Sequence, residues 1–580
     1  MSNYWRADDV VQIGETKVEI SSENGLSFSG GQKISLFVPP SVKFMDGKKS
    51  FLEFDLKLSL PAGEKPTLLQ LDHAGAGVLF RNLRIYDGTR GNLIEEINEY
   101  AELVALKYDY DTDASKRNIR ALQEGGTAYS VPNSGSLGNT KSEYTDTMTN
   151  PYFKRGAGKS STLTDADFTS VKCCVGIHSG VFSGKIFPVM MSNGLYLEWD
   201  VVRPEQVIKQ LDTAIKDRRL TLNPVFHSLN GSTGAEGTPD TWADGGALTD
   251  PATIYIKHDN NLVGDDLVDR CPFVVGESIN FIKRSDKTEA TLTAPFVISE
   301  INASSNDLLE LKCASAITQN SGEAIDQGWS LFSTSVLSPT VAGVYKPSFT
   351  ISNFNLVVHQ VTPDPKVEAG MMAKIREGKA IEFDIHSVTN YKNSLLASDR
   401  QTSFLVHAQN SRAKSILVCP NDSTVYKSAS LISSNDTYQI TDDEADLGLN
   451  SNRSGYSSIN DFLSSVQYVI NGKLVPSRPV STKKCATRES IDAFHIFELE
   501  KALDNAGIVP RSFVKYLENW VLGRGFAIGS GAMDMRGKDL SVLLKYEEAS
   551  APTKPKMINS FVFHVRKLML KGSGAVGVIQ

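Results

Sequence analysis

Along much of the chain apolar and polar residues alternate with period two, the pattern of a strand that buries one face. Leu52, Phe54, Leu56, Leu58 and Leu60 are separated by Glu53, Asp55, Lys57 and Ser59. The same alternation runs through Leu195, Leu197, Trp199 and Val201 against Tyr196, Glu198 and Asp200, and through Ile381, Phe383 and Ile385 against Glu382, Asp384 and His386. Less regular strands are expected over 33–39, 78–86, 171–177, 349–358, 402–407, 414–418, 466–470, 540–546 and 560–569. Asp46-Gly47, Asp87-Gly88 and Asn471-Gly472 are turn dipeptides, the last placed like a two-residue hairpin loop between Ile470 and Lys473. Many strands joined by such turns point to sandwiches or barrels.

Helical spacing is confined to a few segments. In 204–218, Val207, Ile208, Leu211, Ala214 and Ile215 share one face behind Pro204. Further helices are expected over 93–106, 367–376, 489–503 and 512–522, the last with Phe513, Leu517 and Trp520 on one side. They punctuate the strands without alternating with them, which argues against a parallel βαβ sheet. After the first helix the composition shifts: 228–250 is rich in Gly, Ser, Thr, Asp and Ala. The stretch 222–344 therefore reads as an inserted unit, a small antiparallel barrel with strands at 253–256, 278–282, 289–292, 296–301 and 308–312. An acidic, Ser- and Asn-rich stretch without periodicity, 427–458, is expected to be a long surface loop. At 580 residues the chain exceeds what one core supports, and a prior of about 150 residues per domain gives roughly three to four compact units.

A formal net charge of −7 argues against wrapping nucleic acid, which needs clustered Lys and Arg. No run of about 18 apolar residues offers a membrane span, and 1–14 lacks the basic, apolar and small-residue order of a signal peptide. Folding in a reducing cytosol or nucleus is the expectation. The 6 cysteines, Cys173 and Cys174 adjacent and Cys271, Cys313, Cys419 and Cys485 scattered, give neither a disulfide framework nor a zinc pair and read as buried thiols. Asn302, Asn421 and Asn435 then mark polar loops rather than glycosylation sites.

Each near-motif for chemistry fails on a required residue. Gly156 to Ser160 resembles the end of a phosphate loop, but position 153 is Phe where Gly is needed. Asp109, Asp111 and Asp113 begin like a calcium loop that Ala114 and Arg120 then break. Asp442, Asp443, Glu444 and Asp446 read as a solvated acidic run. Ser179 and Ser530 lack the Gly two residues earlier, where Ile177 and Ile528 stand, and no two of the 9 histidines have zincin spacing. No catalytic, cofactor-binding or metal-ligating residue is assigned, and the chain is read as a non-enzyme. Two glycosidase carboxylates brought in from distant strands are the one catalytic arrangement the sequence leaves open.

The order and spacing of 51–58 (FLEFDLKL), 82–86 (NLRIY), 94–100 (IEEINEY), 182–189 (FSGKIFPV), 194–201 (GLYLEWDV), 351–358 (ISNFNLVV) and 466–476 (VQYVINGKLVP) resemble those of the double jelly-roll major capsid proteins of polinton-like viruses, virophages and related double-stranded DNA viruses. The resemblance implies an all-β chain: two jelly-roll β-sandwiches, a small β-barrel-like insertion and a few short helices. It places the first roll at 1–221 with its closing strand in 345–365, an outward-facing insertion at 222–344, and the second roll with a C-terminal tail at 366–580. It further implies a homotrimeric, pseudo-hexagonal capsomer of an icosahedral virion shell, made in the host cytoplasm or nucleus. Its partners would be copies of itself, minor capsid proteins and penton proteins, with no specific nucleic acid and no transmembrane segment. Stretches 141–164 and 427–458 would become ordered on assembly, and 571–580 would thread under a neighbour. The rival readings are a glycan-binding multi-sandwich adhesin or lectin and, behind it, a β-sandwich carbohydrate-active enzyme.

Overall fold

The computed structural model describes, apart from short breaks, residues 12–59, 68–112, 154–155, 170–211, 225–229, 240–257, 278–333, 348–422, 431–432, 454–482, 493–511, 520–526, 531–546 and 555–579, with isolated residues between 116 and 125 and at 273 and 275. The N-terminal sandwich has eight main strands: β1 (Gln12–Ser21), β2 (Lys33–Val38), β3 (Met45–Ser59), β4 (Phe80–Asp87), β5 (Leu93–Ile97), β6 (Val171–Gly176), β7 (Leu195–Val201) and β8 (Ser348–Pro363). One sheet runs β1-β8-β3-β6, with Ser27–Ser29 also on β8, and the other runs β2-β7-β4-β5. The C-terminal sandwich repeats this with β9 (Ile381–Leu395), β10 (Gln401–Val406), β11 (Ala413–Asp422), β12 (Leu463–Ile470), β13 (Lys473–Ser481), β14 (Leu522–Gly525), β15 (Leu540–Tyr546) and β16 (Lys556–Leu570). Its sheets run β9-β16-β11-β14 and β10-β15-β12-β13. Adding eight to every label converts the first order into the second, so the chain is a jelly roll twice over.

A helix follows the fifth strand of each roll, α1 (Tyr100–Asp111) in the first and α3 (Ala493–Ala506) in the second, while α2 (Pro365–Arg376) joins them. The insertion between β7 and β8 is a closed barrel of six strands, in the order Val225–Leu229, Ala252–Lys257, Leu309–Cys313, Phe296–Ala303, Ser278–Lys283 and Trp329–Ser333. Its own core holds Phe226, Trp242, Phe281 and Trp329.

The alternation seen in the sequence is realised as burial. Leu52, Phe54, Leu56 and Leu58 of β3 face the first core, as do Leu195, Leu197 and Trp199 of β7. Tyr196, on the opposite face of β7, is buried as well, because the Arg90 guanidinium lies 3.3 Å from its ring centroid. Strand β16 is buried on both faces, which is why it reads as a nearly continuous apolar run. Ile558 and Val562 enter the core of the second roll, whereas Phe561 and Phe563 enter the core it shares with the first.

Consecutive antiparallel strands turn back at alternate ends, so the connections after β1, β3, β5 and β7 share one end of the first roll. A small sheet unites that end with its counterpart on the second. Leu431–Ile432, between β11 and β12, pairs with Ile208–Leu211, between β7 and β8; that segment pairs with Leu68–Leu71, between β3 and β4, which pairs with Lys154–Arg155, between β5 and β6. The barrel, this sheet and helices α1 and α3 all belong to connections at the same end. The opposite end carries turns such as Asn471-Gly472, whose φ of 49° and 75° make the two-residue hairpin expected there.

Several expectations are corrected. The helix expected over 204–218 is a 3-10 turn (Pro204–Gln206) and then the strand Ile208–Leu211; its remainder lies outside the described residues. Pairing with Leu68–Leu71 overrides a helical spacing that was only local. The helix expected over 93–106 splits into β5 and α1 at Glu99, whose left-handed φ of 53° breaks it. For the helix expected over 512–522, 512–519 lie outside the described residues and Leu522 opens β14. Asp46-Gly47 is no turn but part of β3; a Cβ at Gly47 would stand 2.6 Å from Phe182 Cα, so glycine serves a close backbone approach. Glu289 and Leu292 make only isolated bridges. Within the C-terminal tail, Val576–Ile579 pairs with β16 of its own roll. Asn302 and Asn421 lie on strands, Asn421 buried, and not on loops; Asn435 lies outside the described residues.

Candidate functional site

The near-motifs resolve into structural roles where they are described. Asp109 is buried on α1 and accepts the Ser457 hydroxyl at 2.5 Å, while Asp111 stands 3.9 Å from Arg511, so no calcium loop forms around them. Ser179 caps a turn: its Oγ accepts the Phe182 N–H at 3.2 Å and its C=O accepts the Ser183 N–H at 2.8 Å. Residues 156–160, Asp113, 442–446 and Ser530 lie outside the described residues. Among the described residues no three His, Cys, Asp or Glu side chains are grouped to hold a metal ion. Cys173, Cys313 and Cys419 are buried, Cys174 is partly exposed, and Cys271 and Cys485 lie outside the described residues. No described helix is long and apolar enough to cross a membrane.

The concentration of buried polar chemistry lies in the seam between the rolls, built around α1. Ten of that helix's residues are buried, from Tyr100 to Tyr110, because the first roll encloses one side and the second roll the other. Apolar contact closes much of the seam: Phe187 of the first roll meets Phe383 of β9 edge-on, 5.6 Å between centroids. The backbones come close as well. A Cβ at Gly180 would stand 2.4 Å from the His386 C=O, and the Gly180 N–H donates to both oxygens of buried Glu95 at 2.9 Å.

Into this apolar seam the two rolls bring charges that meet. Glu99, 1% exposed, receives Arg81 of β4 at 3.2 Å and Lys392 of β9 on the same Oε1. One turn on, Glu102 Oε2 accepts the Asn559 amide of β16. Asn559 in turn accepts Asn390 Nδ2 of β9 at 3.1 Å. Arg566 of β16 donates to the Ile94 C=O of β5 at 3.3 Å. Its charge is disfavoured by burial, against which Glu95 acts. Burial, with the cation of Arg566 beside it, lowers His564 to about 3, and the ring accepts or donates at Thr389 Oγ1, 2.9 Å away. His178 is likewise held well below its ordinary value by burial and then by Lys107 and Arg120. Both rings are neutral throughout the working pH range.

The stretch expected to be a surface loop at 427–458 ends inside the seam. Gly455 N–H donates to Asp72 Oδ2 at 2.8 Å, and Asn421 donates to the Tyr456 C=O at 3.2 Å; Ser454, Tyr456 and Ser457 are buried. At the mouth of the seam a cleft of about 570 Å³ is lined by Gly180 and Gly184 from the first roll and by Asp384, His386, Arg412 and Lys414 from the second. Arg412 is held there by Asp384 at 3.0 Å.

Sequence reasoning did not find the seam, since its charged residues are scattered from Asp72 to Arg566. One signal was present: Glu99 and Glu102 stand at the start of a helix that continues into the apolar run Leu103 to Leu106, and His564 and Arg566 interrupt the apolar run of β16. Ionisable residues inside otherwise apolar segments are buried only with partners.

No protein-family model matches the chain, and no curated protein matches it in sequence. Among solved structures it is similar to the PBCV-1 virus capsid protein, with TM-score 0.46 and 10% identity over 98% of this chain and 96% of that one. It is similar to the Faustovirus major capsid protein at TM-score 0.45 and 10% identity, over 97% and 91% of the two chains. The mavirus major capsid protein is similar at TM-score 0.35 and 10% identity, over 100% and 94%.

Proposed function

We propose that the chain is a major capsid protein that associates as a homotrimer and tiles the shell of an icosahedral virion. The observation that carries this reading is the chain's own construction: two rolls of identical strand order, fixed to each other by a buried seam, with the barrel, the small sheet and helices α1 and α3 at one end. Three such chains around an axis present six similar uprights, a pseudo-hexagonal tile. The end bearing the barrel would face outward and the plain end inward. The role is geometric rather than catalytic. Minor capsid and penton proteins are the further partners this reading supplies, with neighbouring capsomers as the main one. The units 1–221 with 345–365, 222–344 and 366–580 are proposed as the first roll, the outward insertion and the second roll.

A trimer of this kind needs interfaces of obligate size, roughly 2,000 Å² or more. Light scattering on the purified chain is expected to give three times 63.3 kDa, stable on dilution. A monomer at working concentration contradicts the proposal, and a monomer that also binds glycans would favour the lectin reading.

A further inference from the structure

Two carboxylate oxygens sealed inside the seam have no hydrogen-bond partner, Oε2 of Glu99 and Oε1 of Glu102. Each residue is 1% exposed. They stand at the start of α1, where the Glu102 N–H donates to the Glu99 C=O at 3.1 Å. Their other oxygens are taken: Glu99 Oε1 by Arg81 and Lys392, Glu102 Oε2 by Asn559. Two bare carboxylates there would bury two unsatisfied acceptors and repel each other. One proton removes both costs, because a carboxylic acid at Glu102 becomes the donor that Glu99 Oε2 lacks. We propose that Glu102 is protonated in the folded chain and donates to Glu99 Oε2, so that the seam between the rolls is closed by a proton and loosens when that proton leaves.

The surroundings agree. Burial, and after it the charge of Glu99, raise Glu102 well above the usual carboxylate range, opposed by Asn559, Lys392 and Asn421. Among the described residues, Glu99 lies on its own segment, Arg81 on β4 and Lys392 on β9; Cys419 of β11 and Tyr456 of the 454–458 segment face it too, with Asp72 beside Tyr456 and Asp109 further along α1. Burial pushes both the Cys419 thiol and the Tyr456 phenol well up, so neither supplies charge near neutrality.

The sign follows from linkage. Below the ordinary carboxylate value both folded and unfolded chains hold the proton. Above it the unfolded chain releases its proton while the folded chain retains it, so stability falls as pH rises until Glu102 itself ionises. Over each pH unit of that window the folding equilibrium constant drops about tenfold on account of this one group. The buried histidines act oppositely, but only on the acid side of their ordinary value of 6.5.

The test compares wild type with Glu102→Gln by thermal unfolding between pH 6.5 and pH 9, with hydrogen exchange read on α1 and β16. Glutamine has the shape of the protonated acid, and its amide can donate to Glu99 Oε2 while its carbonyl accepts from Asn559. Wild type should lose melting temperature and seam protection as pH rises, and the variant should lose less and be the more stable at pH 9. Parallel pH profiles would overturn the proposal, as would equal destabilisation of the variant at every pH. Should the variant not fold, infrared spectra of wild type at pH 8 decide: a surviving protonated-carboxyl band supports the proposal and its absence overturns it.

Discussion

Replacing Trp199 by alanine is expected to destabilise the first roll by about 3–5 kcal/mol, read as a fall in the urea midpoint of unfolding. Trp199 on β7 is completely buried and joins the sandwich to the seam helix. Its ring lies 5.1 Å from Phe80 on β4 and 5.3 Å from Tyr100, the first residue of α1. Removing it opens a cavity under both neighbours, and the two sheets cannot close on a helix that is itself packed on every side. Trp199→Phe should cost much less. It keeps an aromatic ring against Phe80 and Tyr100, and it deletes an indole N–H that has no partner in its buried position.

The second large effect belongs to Lys392. Lys392→Met should cost about 3 kcal/mol by the same measurement, near the lower end for breaking a buried ion pair. The lower end applies because the lysine side chain is 37% exposed and Arg81 stays on Glu99 when it goes. What remains is a carboxylate 1% exposed with half its compensation lost. Removing both charges, as Glu99→Met with Lys392→Met, should recover only part of the loss, since Arg81 and the Glu102 O–H then lose the same acceptor carboxylate. Because the pair joins β9 of one roll to the entry of α1 in the other, the single variant should also expose the seam to hydrogen exchange before either sandwich core.

The parts of this architecture that could be read from the sequence are those in which one element meets solvent on one side. Strands β3 and β7 and the start of β9 alternate because one face is fully buried and the other, Tyr196 of β7 apart, is at least partly exposed over the alternating stretch. Strand β1 was missed: an edge strand whose residues are mostly exposed carries little apolar signal. The 93–106 segment was misread because Leu93 to Leu106 satisfies helical spacing throughout, while β5 is set by its pairing with β4, a tertiary fact. The duplication was invisible because the rolls share strand order and the helix after the fifth strand, not residues. The seam was hidden for a related reason. Arg81, Glu99, Lys392 and Asn559 acquire their chemistry only when two domains remove them from water together, and no spacing within the chain records that.

The proposed coat tile requires the two rolls to stand as two uprights rigidly joined by the seam. Negative-stain imaging of the expressed chain tests it most directly. Six-sided particles with three projections on one face, or shells built of them, are the predicted result; single two-lobed particles that never associate would contradict it.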